Sequence, residues 1–261
     1  MKRGDTLKRI SLFCFPFAGG SSAAYNKWRS HIDKHIELHL VELAGRGRRI
    51  YEPHYESIEA CVDDLFNVIR NDLNKHPYAF FGHSMGAIIA YELALKIKKN
   101  NLPEPIHIFF SGRSAPHIPD AEPEMYYLLP ENEFKEKIVE IGGTPREFLD
   151  HPELMEALLP MIKNDFRIAE LYKYIGEIVP LDYDISVLIG KDEDVTAEQM
   201  HEWRRVTKKI CSVHYFEGEH FFINEHIEQV VKLINNTLLP PSQNPHHGHN
   251  ASPSAHGYSF P

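Results

Sequence analysis

A serine framed by two glycines is the first feature of this sequence that could do chemistry. Gly82-His-Ser-Met-Gly86 has the pattern G-x-S-x-G, and it lies between the apolar segment Tyr78–Phe81 and the apolar stretch Ala87–Lys99. At such a strand-to-helix turn the serine adopts a strained backbone, and small residues at both glycine positions let the strand and the helix approach closely. This context favours a nucleophilic Ser84 over a glycine-rich turn that contains a serine by chance.

A serine hydroxyl is a weak nucleophile at neutral pH and needs a base beside it, so position must select one of the 17 histidines. In folds built around this kind of turn, the chain order is serine, then acid, then histidine. His220 lies in the glycine-containing loop Glu217–Phe222, between the last predicted strand and the last predicted helix. His214 lies inside that strand and His226 inside that helix. His220 is therefore the predicted general base.

The acid that orients this histidine is expected in the loop after the fifth predicted strand. Asp192, Glu193 and Asp194 follow Gly190 there. Only one of the three carboxylates can point at the histidine, and the other two would form a solvated acidic turn. Spacing alone leaves the choice between Asp192 and Asp194 open.

An oxyanion hole needs two preorganised backbone N–H groups, and removing one such donor costs about 3–4 kcal/mol of transition-state stabilisation. One N–H is predicted to come from Met85, the residue after the nucleophile. The other is predicted to come from the loop Pro16–Gly20, which follows the first strand. The two glycines of this loop allow it to fold tightly, although an ordinary turn would contain the same residues.

The elements that must position these residues alternate along the chain. Short apolar runs predict strands at Ile10–Phe15, Ile36–Leu43, Tyr78–Phe81, Pro105–Gly112, Ile185–Gly190 and Val213–Phe216. Helical spacing of apolar residues predicts helices at Ile58–Leu73 after the N-cap Ser57, Ala87–Lys99, Glu133–Ile141, Pro152–Tyr174 and Asn224–Leu239. This order implies a mostly parallel sheet with helices on both faces, and the stretch 114–180 is predicted to be a helical insertion at one edge.

Composition excludes several other classes of protein. The chain has 261 residues, 43% apolar and 25% charged, which excludes a collagen-like, coiled-coil or wholly disordered chain. The net charge of −9 argues against a nucleic-acid-binding surface. Cys14, Cys61 and Cys211 lie far apart and fit a reducing compartment, and the apolar run Ile10–Ala18 is too short to span a membrane. We therefore expect a cytoplasmic protein that binds neither nucleic acid nor a membrane.

The last part of the chain has a different composition. Residues 240–261 are rich in proline, serine, asparagine, glycine and histidine, with almost no aliphatic side chains. Such a segment cannot bury enough apolar area to offset its ordering entropy, so residues 1–239 are the predicted domain and 240–261 a disordered tail. The tail's four histidines could chelate a metal weakly, but a solvated tail is the favoured interpretation.

Five segments, taken in order, resemble the type II thioesterases. These are stand-alone α/β hydrolases that accompany nonribosomal peptide and polyketide synthases, and a similar enzyme releases medium-chain acids from animal fatty acid synthase. The segments are Phe15–Ser21, Gly45–Arg48, Phe81–Gly86, Gly142–Pro145 and Gly218–Phe222, and the match covers about residues 8–239. The resemblance implies an α/β-hydrolase fold, a lid formed by the insertion at 114–180, no cofactor, no metal and a monomer.

The resemblance also implies a reaction and a partner. Such enzymes hydrolyse acyl thioesters on the phosphopantetheine arm of an acyl- or peptidyl-carrier protein, through an acyl-enzyme. Carried over by position, Ser84 is the nucleophile and His220 the base. Ala18 and Met85 then supply the oxyanion-hole amides.

For the acid, the resemblance favours Asp192 over Asp194. The family usually has Gly-x-x-Asp-Pro followed two residues later by valine. Asp192-Glu-Asp-Val195 matches the last part of that pattern, with one residue fewer after Gly190.

Two alternatives to the thioesterase interpretation remain. A carboxylester hydrolase of the same fold would have the same G-x-S-x-G motif. An inactive hydrolase fold used as a binding module is a further alternative, although competent residues fill all three triad positions.

Two further features have two interpretations each. Arg46, Arg48 and Arg49 form the densest basic cluster of the predicted domain, as either a solvated turn or a docking surface for an acidic carrier protein. The apolar residues of the insertion either line an acyl channel or form a small helical core. They are Met125, Leu128, Leu129, Phe134, Ile141, Phe148, Leu154, Leu158 and Met161.

Overall fold

The computed structural model describes residues 9–118, 125–144, 151–193 and 195–239. Within these residues, six parallel strands form one sheet. The strands are β1 (Ile10–Phe15), β2 (Ile36–Leu40), β3 (Tyr78–His83), β4 (His107–Ser111), β5 (Ile185–Gly190) and β6 (Cys211–Phe216). Their order across the sheet is β2-β1-β3-β4-β5-β6, and every neighbouring pair is parallel. The predicted α/β architecture is confirmed.

Helices cover both faces of the sheet because successive strand residues point to opposite sides. In β1, Phe13 and Phe15 belong to the core beneath α1 (Ile58–Ile69) and α2 (Met85–Lys99). Leu12 and Cys14 belong to the core on the other face, beneath α7 (Ile227–Leu238). The sheet is thus the middle of three layers, and its strands β1, β3 and β5 are mostly apolar and buried throughout.

The remaining helices are α3 (Glu131–Ile141), α4 (Pro152–Leu171), α5 (Ala197–Glu202) and α6 (Phe222–Glu225). The Ser57 side chain accepts a hydrogen bond from the Ala60 N–H, so the predicted N-cap of α1 is confirmed. No helix within the described ranges is both long enough and apolar enough to cross a membrane.

Most elements differ by a few residues from their predicted limits. The strand β2 ends at Leu40, and two residues later Glu42 accepts hydrogen bonds from the Ser22 N–H and hydroxyl. The predicted last helix is divided at His226, whose backbone (φ −113°, ψ 40°) is not helical. Residues 240–261, the predicted tail, lie outside the described residues.

The insertion packs its apolar side chains against one another. Phe134 and Met161 are buried in a separate core between α3 and α4, while Leu128 and Leu154 face the solvent. Phe148 lies outside the described residues. For these side chains the structure favours a small helical core over a channel lining.

Candidate active site

Ser84 lies at a strained turn between β3 and α2. Its φ of 54° and ψ of −116° place it outside the regions that a serine ordinarily adopts. The turn is possible only with glycine on both sides. A Cβ on Gly82 would lie 2.0 Å from the carbonyl oxygen of Gly86, and a Cβ on Gly86 would lie 2.2 Å from that of Phe15. The sequence motif therefore forms the predicted turn, with Ser84 at its tip.

His220 lies over the carboxyl end of β4, beside this turn. The Ser84 N–H donates to the carbonyl oxygen of Ser111 (2.8 Å), and Gly112 follows with a φ of +61°. A Cβ on Gly112 would lie 2.5 Å from Cε1 of His83 and 3.0 Å from Cε1 of His220, so glycine is needed beside these two imidazoles. The structure thus brings the two predicted residues together at one edge of the sheet. Within the described residues, the hydrogen bond of the imidazole is made to an acid rather than to the Ser84 hydroxyl.

The acid in contact with this histidine is Glu193. One carboxylate oxygen lies 2.9 Å from Nδ1 of His220, and the other accepts a hydrogen bond from the Gly190 N–H at 2.9 Å. The side chain is 7% exposed. Because a carboxylate accepts hydrogen bonds, it holds the proton of the imidazole on Nδ1 and leaves Nε2 as the basic nitrogen.

Asp192, the acid favoured by the sequence, is exposed, and the structure places Glu193 instead in hydrogen-bond contact with His220. The reason is a tight turn in which the Glu193 N–H donates to the Gly190 carbonyl (3.3 Å). The turn directs Asp192 outward. The longer glutamate side chain reaches the ring instead. Asp194 lies outside the described residues.

Close crossing of two loops brings this acid and base together. A Cβ on Gly190 would lie 2.5 Å from the carbonyl oxygens of Gly218 and Glu219. The loop that carries the histidine therefore runs directly over the start of the loop that carries the acid. Gly190 is required for this approach.

The two predicted oxyanion donors are not engaged elsewhere in the described part of the chain. Met85 is the first residue of α2, so its N–H has no partner within the helix. In the loop after β1, the Gly20 N–H donates to the carbonyl of Phe17 (2.9 Å) and the Gly19 N–H donates to Asp165 (2.8 Å). The Ala18 and Met85 N–H groups can therefore donate to a ligand.

A second histidine lies beneath the first. His83 is fully buried, its Nδ1 is 2.9 Å from the Ser111 hydroxyl, and its ring centre is 4.8 Å from that of His220. Burial, followed by the proximity of His220, lowers the pKa of His83 well below its usual value. A neutral ring at this position adds no positive charge beside His220.

A cavity of about 380 Å³ lies next to this site. Ala87 and Ile88, in the first turn of α2, form one wall, and Arg113 and Ser114, just after β4, form another. The remaining lining residues are Ala115, Pro116, His117, Ile118, Glu170, Tyr172, Lys173, Tyr174 and Trp203. The cavity has both apolar and charged walls.

The basic cluster of the sequence does not form a common surface. Arg46 is 3% exposed and pairs with Asp165, and Arg49 pairs with Asp64 and with Glu52. Arg48 is exposed. The structure does not support docking through all three arginines, because Arg46 is buried and Arg49 is paired with Asp64 and Glu52.

Comparison with known proteins gives matches over most of the chain. Residues 10–238 match the family model described as "Thioesterase domain". The solved structure of ClbQ from the colibactin NRPS/PKS pathway is 36% identical, covers 88% of this chain and 97% of that one, and has a TM-score of 0.83. YbtT, a type II thioesterase from the yersiniabactin NRPS/PKS pathway, is 26% identical over 88% and 92% of the two chains, with a TM-score of 0.75.

A curated relative, linear gramicidin dehydrogenase LgrE of Brevibacillus parabrevis, is 36% identical over 233 residues, 88% of each chain. Its name is that of a dehydrogenase. The family model and the YbtT structure are both of thioesterases, and they cover the residues that build the site described above.

Proposed function

Since the chain belongs to the thioesterase family and is a type II thioesterase like its relatives, we propose that Ser84, His220 and Glu193 form its catalytic triad. The observation that carries this proposal is the joint position of a strained serine and a histidine–carboxylate pair at the carboxyl edge of the sheet. In open α/β sheets this edge is where ligands bind.

We propose that hydrolysis proceeds through an acyl-enzyme. Nε2 of His220 takes the proton of the Ser84 hydroxyl while Oγ attacks the thioester carbonyl carbon. The N–H groups of Ala18 and Met85 stabilise the oxyanion that forms. The C–S bond then breaks, His220 protonates the departing thiolate, and a water activated by His220 releases the acid. Glu193 stabilises the imidazolium at both stages.

The proposed substrate is an acyl or peptidyl group on the phosphopantetheine arm of a carrier protein. Relatives from NRPS/PKS pathways support this choice, since removal of stalled or incorrect acyl groups regenerates the carrier thiol. The cavity that begins at Ala87 and Ile88, just after Ser84, is the proposed site for the acyl group. We propose that the enzyme acts as a monomer in the cytoplasm, where its three free cysteines fit a reducing environment.

One comparison of substrates tests this function. Purified protein is given octanoyl-phosphopantetheinyl acyl carrier protein and, separately, p-nitrophenyl octanoate. We expect a higher kcat/KM for the carrier-bound thioester, whereas a preference for the ester would support a carboxylester hydrolase. Absence of hydrolysis of both, and of shorter acyl groups, would favour an inactive binding module.

Two serine variants assign the nucleophile. Ser84→Ala is expected to lower kcat by about a thousandfold or more, because the triad acts as a unit. Ser186→Ala is the matched control, since Ser186 also contacts a histidine, His107 at 2.9 Å, but in the buried interior of the sheet. Its activity should stay within about twofold of the parent protein. Equal losses in both variants would contradict the assignment of Ser84.

A further inference from the structure

A buried ion pair joins the insertion to the loop that holds Ala18. The guanidinium of Arg46 contacts both carboxylate oxygens of Asp165, at 2.5 and 2.8 Å, and the two side chains are 3% and 1% exposed. One of these oxygens also accepts the Gly19 N–H at 2.8 Å, and the guanidinium also donates to the Gly20 carbonyl at 2.8 Å. Both charged groups therefore also bind the backbone of the loop after β1.

The helix α4 packs directly on this loop. Gly19 has a φ of +77°, and a Cβ there would lie 3.2 Å from side-chain carbons of Ile162. Ile162 and Asp165 are three residues apart and so lie on the same face of α4. A side chain at position 19 would push α4 away from the loop. The apolar contact therefore acts at Gly19, and the ion pair acts at both Gly19 and Gly20.

Stability alone does not explain why a charged pair is buried here. Replacing a buried ion pair by apolar side chains of similar size is often neutral or stabilising, because burial of both charges is costly. Burial works against the charge on Arg46, but the adjacent Asp165 outweighs it and raises the pKa of Arg46 above its usual value. What an apolar pair could not do is bind the Gly19 N–H and the Gly20 carbonyl.

We propose that Asp165 and Arg46 are positioning residues for the oxyanion hole. They fix the peptide units on both sides of Gly19 and Gly20, and thereby the direction of the Ala18 N–H next to them. Because Asp165 is part of α4, the oxyanion loop has its active shape only when this helix of the insertion is docked on the core. This inference rests on the proposed function, since it assumes that the Ala18 N–H stabilises an oxyanion.

The test separates loop geometry from stability with two variants. Asp165→Asn keeps the shape of the side chain but removes its charge. The double variant Arg46→Met/Asp165→Leu removes both charges and keeps the site filled. For each variant we measure kcat and KM with octanoyl-N-acetylcysteamine, the rate of Ser84 modification by a fluorophosphonate, and the Tm.

We expect both variants to lose about 10- to 100-fold in kcat and in the rate of fluorophosphonate modification, since a small misplacement of a catalytic group has this effect. KM should change less than about threefold. The Tm should fall for Asp165→Asn, which leaves Arg46 buried without its partner, and recover in the double variant. If the double variant does not fold, Asp165→Asn, assayed below its Tm, decides by the same kinetic criteria.

Asp64→Asn is the matched control. Arg49, three residues after Arg46, contacts both oxygens of Asp64 at 2.8 and 3.1 Å, but this pair does not contact the loop after β1. We expect the control to keep kcat within about twofold of the parent protein.

If the Asp165 variants keep the kcat and the labelling rate of the parent protein, the proposal is overturned. An equal loss of kcat in the Asp64→Asn control would also overturn it. Failure of the fluorophosphonate to label Ser84 in the parent protein would instead refute the proposed function.

Discussion

At the scale of residues, three consecutive acidic side chains follow β5, and one of them reaches the histidine. The Gly190 N–H fixes one oxygen of Glu193, so that the other is held 2.9 Å from Nδ1 of His220. Asp192 is directed to solvent by the same turn. The longer side chain of glutamate and one backbone hydrogen bond place Glu193, rather than Asp192, against the histidine.

Substitution of the two acids should therefore give unequal losses. Glu193→Gln is expected to lower kcat by roughly a thousandfold or more, because an amide partner favours the wrong tautomer of His220. Asp192→Asn should stay within about threefold of the parent protein. Steady-state hydrolysis of octanoyl-N-acetylcysteamine measures both. A larger loss in Asp192→Asn would contradict the arrangement described here.

Local patterns predicted some residue roles and not others. Ser84 and His220 could be predicted because each is defined by its place between a strand and a helix. The acid could not, because its identity depends on the backbone of a turn that has several acidic residues in succession. The sequence shows that Asp165 is a charged residue on the apolar face of a helix, three residues after Ile162. Its pairing with Arg46 could not be predicted, because the two residues are far apart in the sequence.

At the scale of elements, the two long helices of the insertion differ in how they are attached. The second half of α4 bonds to the core through Asn164, Asp165 and Arg167, which reach Tyr55, Arg46 and Glu56. The helix α3 shares an apolar core with α4, its last residue Ile141 packs against the core beneath α7, and Gly143 lies against Phe221. Within the described residues, polar side chains of α4 therefore bond to the core, whereas α3 is held mainly by apolar contacts.

Hydrogen exchange should show this difference. Amides of α3 are expected to exchange faster than those of β3, because local opening breaks few contacts there. Amides of α4 at Ile162–Ile168 should exchange as slowly as those of β3. Exchange followed by proteolysis and mass spectrometry resolves the three segments. If the amides of α3 exchange as slowly as those of β3, the prediction that the insertion is a lid that opens is contradicted.

Apolar spacing predicted most of the strands and helices, but it did not predict which of them contact each other. The limits of β1 and β5 agree with the predicted ones because each is a short apolar run bounded by a proline or glycine turn. The break at His226 is not visible in the pattern, since apolar spacing continues across it.

At the scale of the whole molecule, buried histidines make stability depend on pH. Burial lowers the pKa of His107 to about 4, a shift that Asp184 opposes and His214 increases. Burial also lowers the pKa values of His39, His83 and His214. The unfolded chain then binds more protons than the folded protein below the ordinary histidine pKa of about 6.5. Stability should therefore be complete above this pH and decrease as the pH falls toward 4.

Urea unfolding at pH 7.5 and at pH 5 measures this effect. For His107 alone, the shift predicts a loss of about 2 kcal/mol in the free energy of unfolding at pH 5. His107→Gln should reduce the pH dependence by that amount, and His76→Gln, at an exposed histidine, is the matched control. An unchanged pH dependence in His107→Gln would mean that this ring accepts a proton in the folded protein.

The central claim is that Ser84 carries the acyl group between the two halves of the reaction. The most direct test is rapid mixing with octanoyl-phosphopantetheinyl acyl carrier protein, acid quenching within one turnover, and mass spectrometry of the digested enzyme. We expect one octanoyl group on the peptide that contains Ser84 and none in Ser84→Ala. Octanoyl transfer to another residue, or full turnover in Ser84→Ala, would contradict the claim.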